Sequence, residues 1–128
     1  MVAFLKLYSV SVVAFCALDA VWLGIVARGF YRERLADLLR PDPRWGAALA
    51  FYALFVAGIV LFVTLPAVER GSLGRAVTFG ALFGLVTYAT YDLTSLAVLR
   101  GFPVIVAVVD LAWGAAISAA VATVGYLA

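Results

Sequence analysis

Histidine is absent from this chain, and cysteine and methionine occur once each. Without imidazole there is no usual haem or zinc ligand, no usual proton shuttle and no Ser–His–Asp set. The single Cys16 cannot form an internal disulfide and has no histidine to activate it. Charge is scarce as well: 12% of the 128 residues are Asp, Glu, Lys or Arg, against about one-quarter in an ordinary soluble domain. A net charge of +2, with its basic residues scattered over loops, excludes a nucleic-acid surface. There is no glycine-rich phosphate loop, and no pair of membrane acids is spaced like the metal-binding boxes of prenyl transferases. No metal and no cofactor is expected.

What is abundant is hydrocarbon. The chain is 67% hydrophobic, and its mean hydropathy is +1.16. Such a composition belongs to an integral membrane protein whose first partner is the lipid bilayer. Four apolar stretches, at about 3–27, 45–67, 75–98 and 103–127, each supply the roughly 20 residues a helix needs to cross. Alternation of polar and apolar residues is missing, which argues against a barrel. The expected fold is all-α, an integral membrane four-helix bundle formed by a single domain over residues 1–128. The first stretch follows Lys6 as a signal sequence would. It is too long for one, carries Asp19 and lacks a small-x-small cleavage site, so it reads as a retained span.

The connections fit this division. In "RGFYRERLADLLRPDPRW", residues 28–45, Phe30, Tyr31, Leu35, Leu38 and Leu39 share a helical stripe that Arg32, Glu33, Asp37 and Arg40 largely avoid. This pattern predicts a short amphipathic helix at the membrane interface between the first and second spans. Pro41 ends it, and Asp42 and Pro43 suit the cap and first position of the next helix. "PAVERGSLGRA", residues 66–76, reads as a polar turn, and the third connection is short enough for a tight hairpin. "VARGF" at 26–30 and "VLRGF" at 98–102 each put Arg in a last helical turn and Gly in the left-handed cap position. Shared punctuation explains this pair better than duplication, because the second and fourth spans do not align.

Asp19, Asp92 and Asp110 are the acids inside spans. At about 1.5 Å per residue they lie about 12, 9 and 10 Å from the ends of their spans. Because successive spans alternate in direction, all three fall in one layer beneath one face. Tyr52 reaches a similar depth, and Tyr88, Tyr91, Thr94 and Ser95 are further candidates for this polar layer. Arg28 and Arg100 can reach it from the same face. Three like charges in a low-dielectric layer repel, so at least one acid is expected to carry a proton. Gly80, Gly84, Tyr88 and Asp92 follow a four-residue spacing, as do Asp110, Gly114 and Ser118. Small residues let helices approach closely, so Gly80, Gly84, Gly114 and Ser118 read as packing positions that bring Asp92 to Asp110. Trp22 reads as an interfacial anchor and Trp113 as buried packing, both three residues after an aspartate.

Intramembrane acids can fix the register of a bundle, or they can mark a transport pathway. The first reading makes the protein structural or accessory. The alternatives are a small proton-coupled transporter or transporter subunit, and a membrane enzyme or accessory factor acting on lipid or isoprenoid. Small multidrug transporters are four-span chains of similar size, but their key glutamate near the middle of the first span has no counterpart here. The short third connection favours a fold complete in one chain, with any homodimer or larger assembly formed elsewhere. The sequence leaves the small-molecule or lipid ligand open.

"LDAVWLG" at 18–24, "FY" at 30–31, "YATYDLTSLAVLRGFP" at 88–103 and "VDLAWG" at 109–114 together resemble the bacterial membrane family catalogued as domain of unknown function 2177. The resemblance covers nearly the whole chain and implies a four-span protein of the bacterial inner (plasma) membrane. It implies no activity, cofactor or catalytic residue. Its motif acids correspond to Asp19, Asp92 and Asp110, and Ser95 stands where the family often has Asn.

Arg28, Arg32, Arg34, Arg40, Arg44 and Arg100 flank the acid-side face, against Lys6, Arg70 and Arg75 on the other. Positive residues favour the cytoplasm, which predicts both termini outside. A C-terminal alkaline phosphatase fusion is expected to be active and a C-terminal fluorescent-protein fusion dark; the reverse result refutes this orientation.

Overall fold

The computed structural model describes residues 2–26, 28–34 and 45–128. Helix α1 (Val2–Val21) continues into a π-helical segment (Trp22–Val26) and is followed by α2 (Arg28–Arg34). Helix α3 (Trp45–Ile59) runs through a second π-helical segment (Val60–Thr64) into α4 (Leu65–Arg70). Then come α5 (Leu73–Val98) and α6 (Val104–Leu127). Among the described residues, four helices are long and apolar enough to cross a membrane: Ala3–Ile25, Trp45–Arg70, Leu73–Val98 and Val104–Leu127. The fold is all-α, a bundle of these four helices.

A short helix, α2, follows the first span; residues 35–44, including Leu35, Leu38 and Leu39 of the expected amphipathic stripe and Asp37, Arg40, Pro41, Asp42 and Pro43, lie outside the described residues. Phe30 of α2 packs against buried Phe102 and Val106 at the α5–α6 hairpin, so α2 docks on the end of the bundle that carries the acids.

Two details differ from the sequence reading. Residues 66–70 are helical, not part of a turn, and the reversal is confined to Gly71 and Ser72. Pro66 has no N–H for the carbonyl four residues earlier, a defect that ordinarily kinks a helix. Here the preceding turn widens, and the Leu65 N–H bonds to the Val60 carbonyl five residues back. Gly71 then takes φ 60°, with the Gly71 N–H donating to the Val68 carbonyl and the Ser72 N–H to the Ala67 carbonyl. Ser72 caps α5 by accepting from the Arg75 N–H at 3.1 Å. The second difference concerns the two Arg-Gly junctions. Gly101 is left-handed with φ 74°, whereas Gly29 lies inside α2 with an ordinary helical backbone.

Helices that are apolar all round have no polar face to turn outward, so apolar residues lie on both sides of the bundle. Inside, small residues at the helix contacts (Ala67, Ala76, Gly80, Gly84, Gly114, Ala122 and Gly125) are buried together with bulky ones such as Phe15, Phe55, Ile59 and Ile117. Outside, other large side chains are left to the lipid, as at Leu54 (75% exposed), Phe62 (70%) and Val13 (69%). Helix α6 is the hub, packing most extensively on α5 and next on α1. The α5–α6 seam is close because it is built on glycine. A methyl group at Gly84 would run into the Gly114 carbonyl oxygen and the Ser118 side chain, and one at Gly114 would run into the Tyr88 ring. Hydroxyls on the outer turns satisfy themselves: Thr87, Thr90 and Thr123 donate to carbonyls three or four residues earlier.

Gly84→Val is expected to force α5 and α6 apart and to destabilise the bundle by about 1–3 kcal/mol or more, the usual range for overpacking. Gly58→Ala meets only the far end of the Phe83 ring and should be milder. Thermal unfolding in one detergent, with both variants side by side, checks the ordering.

Candidate functional site

Three aspartates reach the same end of the bundle from three helices. Asp19 stands near the end of α1, Asp92 six residues before the end of α5 and Asp110 six residues after the start of α6. Asp19 is tied on both oxygens. Tyr52 Oη donates to Oδ2 at 2.9 Å, and Trp113 Nε1 donates to Oδ1 at 3.4 Å. One carboxylate thus joins α1, α3 and α6.

Trp113 is held on its face as well as its edge. Its ring lies on Trp22 with centroids 4.4 Å apart and planes 7° from parallel. Stacked aromatic pairs contribute about 0.5–1.5 kcal/mol beyond the area they bury. Each tryptophan follows an aspartate by three residues, so the two Asp-x-x-Trp turns meet through their rings. Trp113 also packs against the core, as its sequence reading expects, and the stack adds Trp22 as a direct partner. Its signal was the shared spacing.

Asp110 lies between the other two acids, close enough to act electrostatically on both. Asp92 is fully buried (0% exposed), and neither of its oxygens meets a hydrogen-bond donor. What it faces across the α5–α6 seam is the Asp110 carboxyl. Among the described residues no three His, Cys, Asp or Glu side chains gather closely enough to hold a metal ion.

The other residues singled out in the sequence divide. Tyr52 and Tyr88 are half-buried beside the acids, and Ser95 is buried one turn beyond Asp92. Tyr91 is 59% exposed, with its ring edge-on to Phe102 at 6.1 Å. Thr94 is exposed, because two residues past Asp92 the helix has turned about 200° away from it. Arg100 is exposed at the hairpin and makes no ion pair among the described residues. The Arg28 side chain lies outside the described set.

These groups surround a space. A cavity of about 330 Å³ is lined by Asp19, Asp110, Trp22, Trp113, Tyr52, Tyr88 and Tyr91, together with Leu23, Phe51 and Thr87. Leu23, Phe51 and Tyr91 at its rim are exposed on the outer surface of the bundle. Side chains of the first, second and third spans thus carry the cavity wall to the outer surface. Its wall is mainly aromatic, with two carboxyls.

Sequence reasoning also passed over Ser11 and Thr64. Both are fully buried with hydroxyls that meet no partner, as is Ser118. Ser11 Oγ and Thr64 Oγ1 stand 3.2 and 3.5 Å from where a Gly125 side chain would begin. A lone hydroxyl amid an apolar run gives no pattern by which to find such a meeting.

The Trp22–Trp113 stack has an optical consequence. Parallel indoles 4.4 Å apart couple their transitions, so the circular dichroism of the purified protein should show an exciton couplet. Trp22→Leu and Trp113→Leu should each abolish it, while Trp45→Leu, which removes an exposed ring, should leave it intact.

No curated protein and no solved structure matches the chain. The family model described as "Predicted membrane protein (DUF2177)" matches residues 4–127, a stretch that contains the three aspartates, the stacked tryptophans and all but the ends of the four long helices. The chain belongs to this family of membrane proteins, DUF2177.

Proposed function

We propose that this protein is a single four-span domain of the bacterial inner membrane, with both termini outside, that takes up a lipophilic organic cation at the acid–aromatic cavity. It would do so as a small transporter or transporter subunit. The observation that carries this reading is the cavity itself: Asp19 and Asp110 stand in the wall of an open, ring-lined space instead of being packed shut. Aromatic faces attract cations by about 0.5–2 kcal/mol or more when desolvated, and a carboxylate adds direct charge complementarity. Polar groups in hydrocarbon are expensive and are commonly kept for ion or substrate pathways.

A register-fixing role accounts for part of the layer. The bonds from Tyr52 and Trp113 to Asp19 hold three helices in fixed relation whatever else the site does. It does not by itself call for the ring-lined cavity beside them. A lipid-phosphate or isoprenoid-phosphate substrate suits the cavity less, since two carboxyls in its wall repel phosphate.

Benzyltrimethylammonium is a suitable probe, and neopentylbenzene is its uncharged isostere. Quenching of tryptophan fluorescence should report saturable binding of the cation. Asp110→Asn and Trp22→Leu should each weaken it by about tenfold, corresponding to roughly 1.4 kcal/mol. Equal binding of the neutral isostere, or unchanged affinity in both variants, would sink the cation reading.

A further inference from the structure

Asp92 takes no part in the cavity wall, and among the described residues it has no partner of opposite charge. It is sealed from solvent on α5, and neither oxygen meets a donor. The titratable group facing it from α6 is Asp110, and Tyr91 is beside it on its own helix. No basic side chain pairs with it among the described residues. Two ionised carboxylates are both acceptors and cannot bond to each other. A buried carboxylate with no donor and a like charge beside it is not a stable arrangement in hydrocarbon. One proton between the two oxygens resolves both problems, because one carboxyl then donates and the other accepts.

We infer that Asp92 and Asp110 form a proton-sharing pair, with Asp92 as the buried half and Asp110 as the half that faces the cavity. Resting on the cation reading of that cavity, the pair makes the site an exchanger. A cation beside Asp110 takes over the charge compensation that the shared proton otherwise gives the pair: the carboxyl O–H bond breaks, its electron pair stays on the carboxylate, and the proton leaves through the cavity to the solvent as the cation binds. One O–H bond breaks and no other covalent bond changes; one proton departs for each positive charge that enters. Asp92 is thus a positioning and proton-holding residue that does not touch the ligand. The glycine contact at Gly84 and Gly114, two turns and one turn along from the acids, holds the two helices close enough for the sharing.

Two measurements separate this inference from the reading it rests on. The first needs no ligand. Infrared spectra of the purified protein should contain the carbonyl stretch of a protonated carboxylic acid, shifted in heavy water. That band should disappear in Asp92→Asn and in Asp110→Asn, and persist in Asp19→Asn. Either asparagine can donate to the remaining carboxylate, so both variants should fold. Absence of the band from the wild type, or its survival in both the Asp92 and Asp110 variants, overturns the inference. The second measurement follows proton release with a pH-sensitive dye in weakly buffered detergent. Saturation with benzyltrimethylammonium should release about one proton per cation from the wild type. Asp92→Asn should bind the cation and release none. Binding without release from the wild type overturns the exchange. Failure of the wild type to bind the cation refutes the cavity reading and leaves the infrared result to decide whether the proton is shared.

Discussion

The acid end of this bundle depends on how near α5 and α6 can come to each other. Lipid offers helices no hydrophobic incentive to associate, since acyl chains are as apolar as leucine, and close packing and polar contacts must supply the attraction. Glycine makes the approach feasible. At Gly84 and Gly114 no side chain separates the backbones, and the Tyr88 ring rests directly on Gly114. Each glycine within a helix costs about 1 kcal/mol in propensity, a cost recovered here through contact over the length of the seam. The same closeness sets Asp92 opposite Asp110 and presents Tyr88 to the cavity. Packing and chemistry at this site have one structural cause.

The two π-helical segments have different settings. Val60–Thr64 absorbs the missing donor of Pro66, and the second span runs on without a break. Trp22–Val26 begins at the stacked tryptophan itself. Widening a helix by one residue per turn rotates everything beyond it, so the segment sets the angle at which α1 leaves the site. Single π turns are frequent where a helix carries functional side chains, and this one starts within a turn of Asp19.

The class of the protein and its four crossings could be read from hydropathy, because bilayer thickness sets a length that composition reveals directly. Depth could be read too, since rise per residue is constant and spans alternate in direction. Rotation about each helix axis could be read only in part. Four-residue spacings pointed to the small-residue stripes of α5 and α6, but nothing in an evenly apolar sequence told Tyr91 and Thr94 to face outward. The Trp22–Trp113 stack and the meeting of Ser11, Thr64 and Gly125 join positions far apart in the chain. Such meetings depend on the relative rotation of two helices, which no single-helix pattern encodes. The widened turn before Pro66 was illegible for another reason: proline signals a break, and the adjustment that avoids the break has no signature of its own.

The apolar outer surface of the bundle changes what a mutation does. In a water-soluble domain the interior holds the bulky side chains and tolerates loss of volume poorly, while the surface accepts almost anything polar. Here the outer residues such as Leu54 and Phe62 meet fluid acyl chains that reshape around whatever hydrocarbon is presented. Leucine, valine and phenylalanine are close to interchangeable there. The interior can neither gain a methyl group at Gly84 nor lose the hydroxyl of Tyr52 from Asp19 without consequence. Freedom to substitute in this chain therefore lies on its greasy outside, and constraint falls on the glycine contacts and polar bonds within.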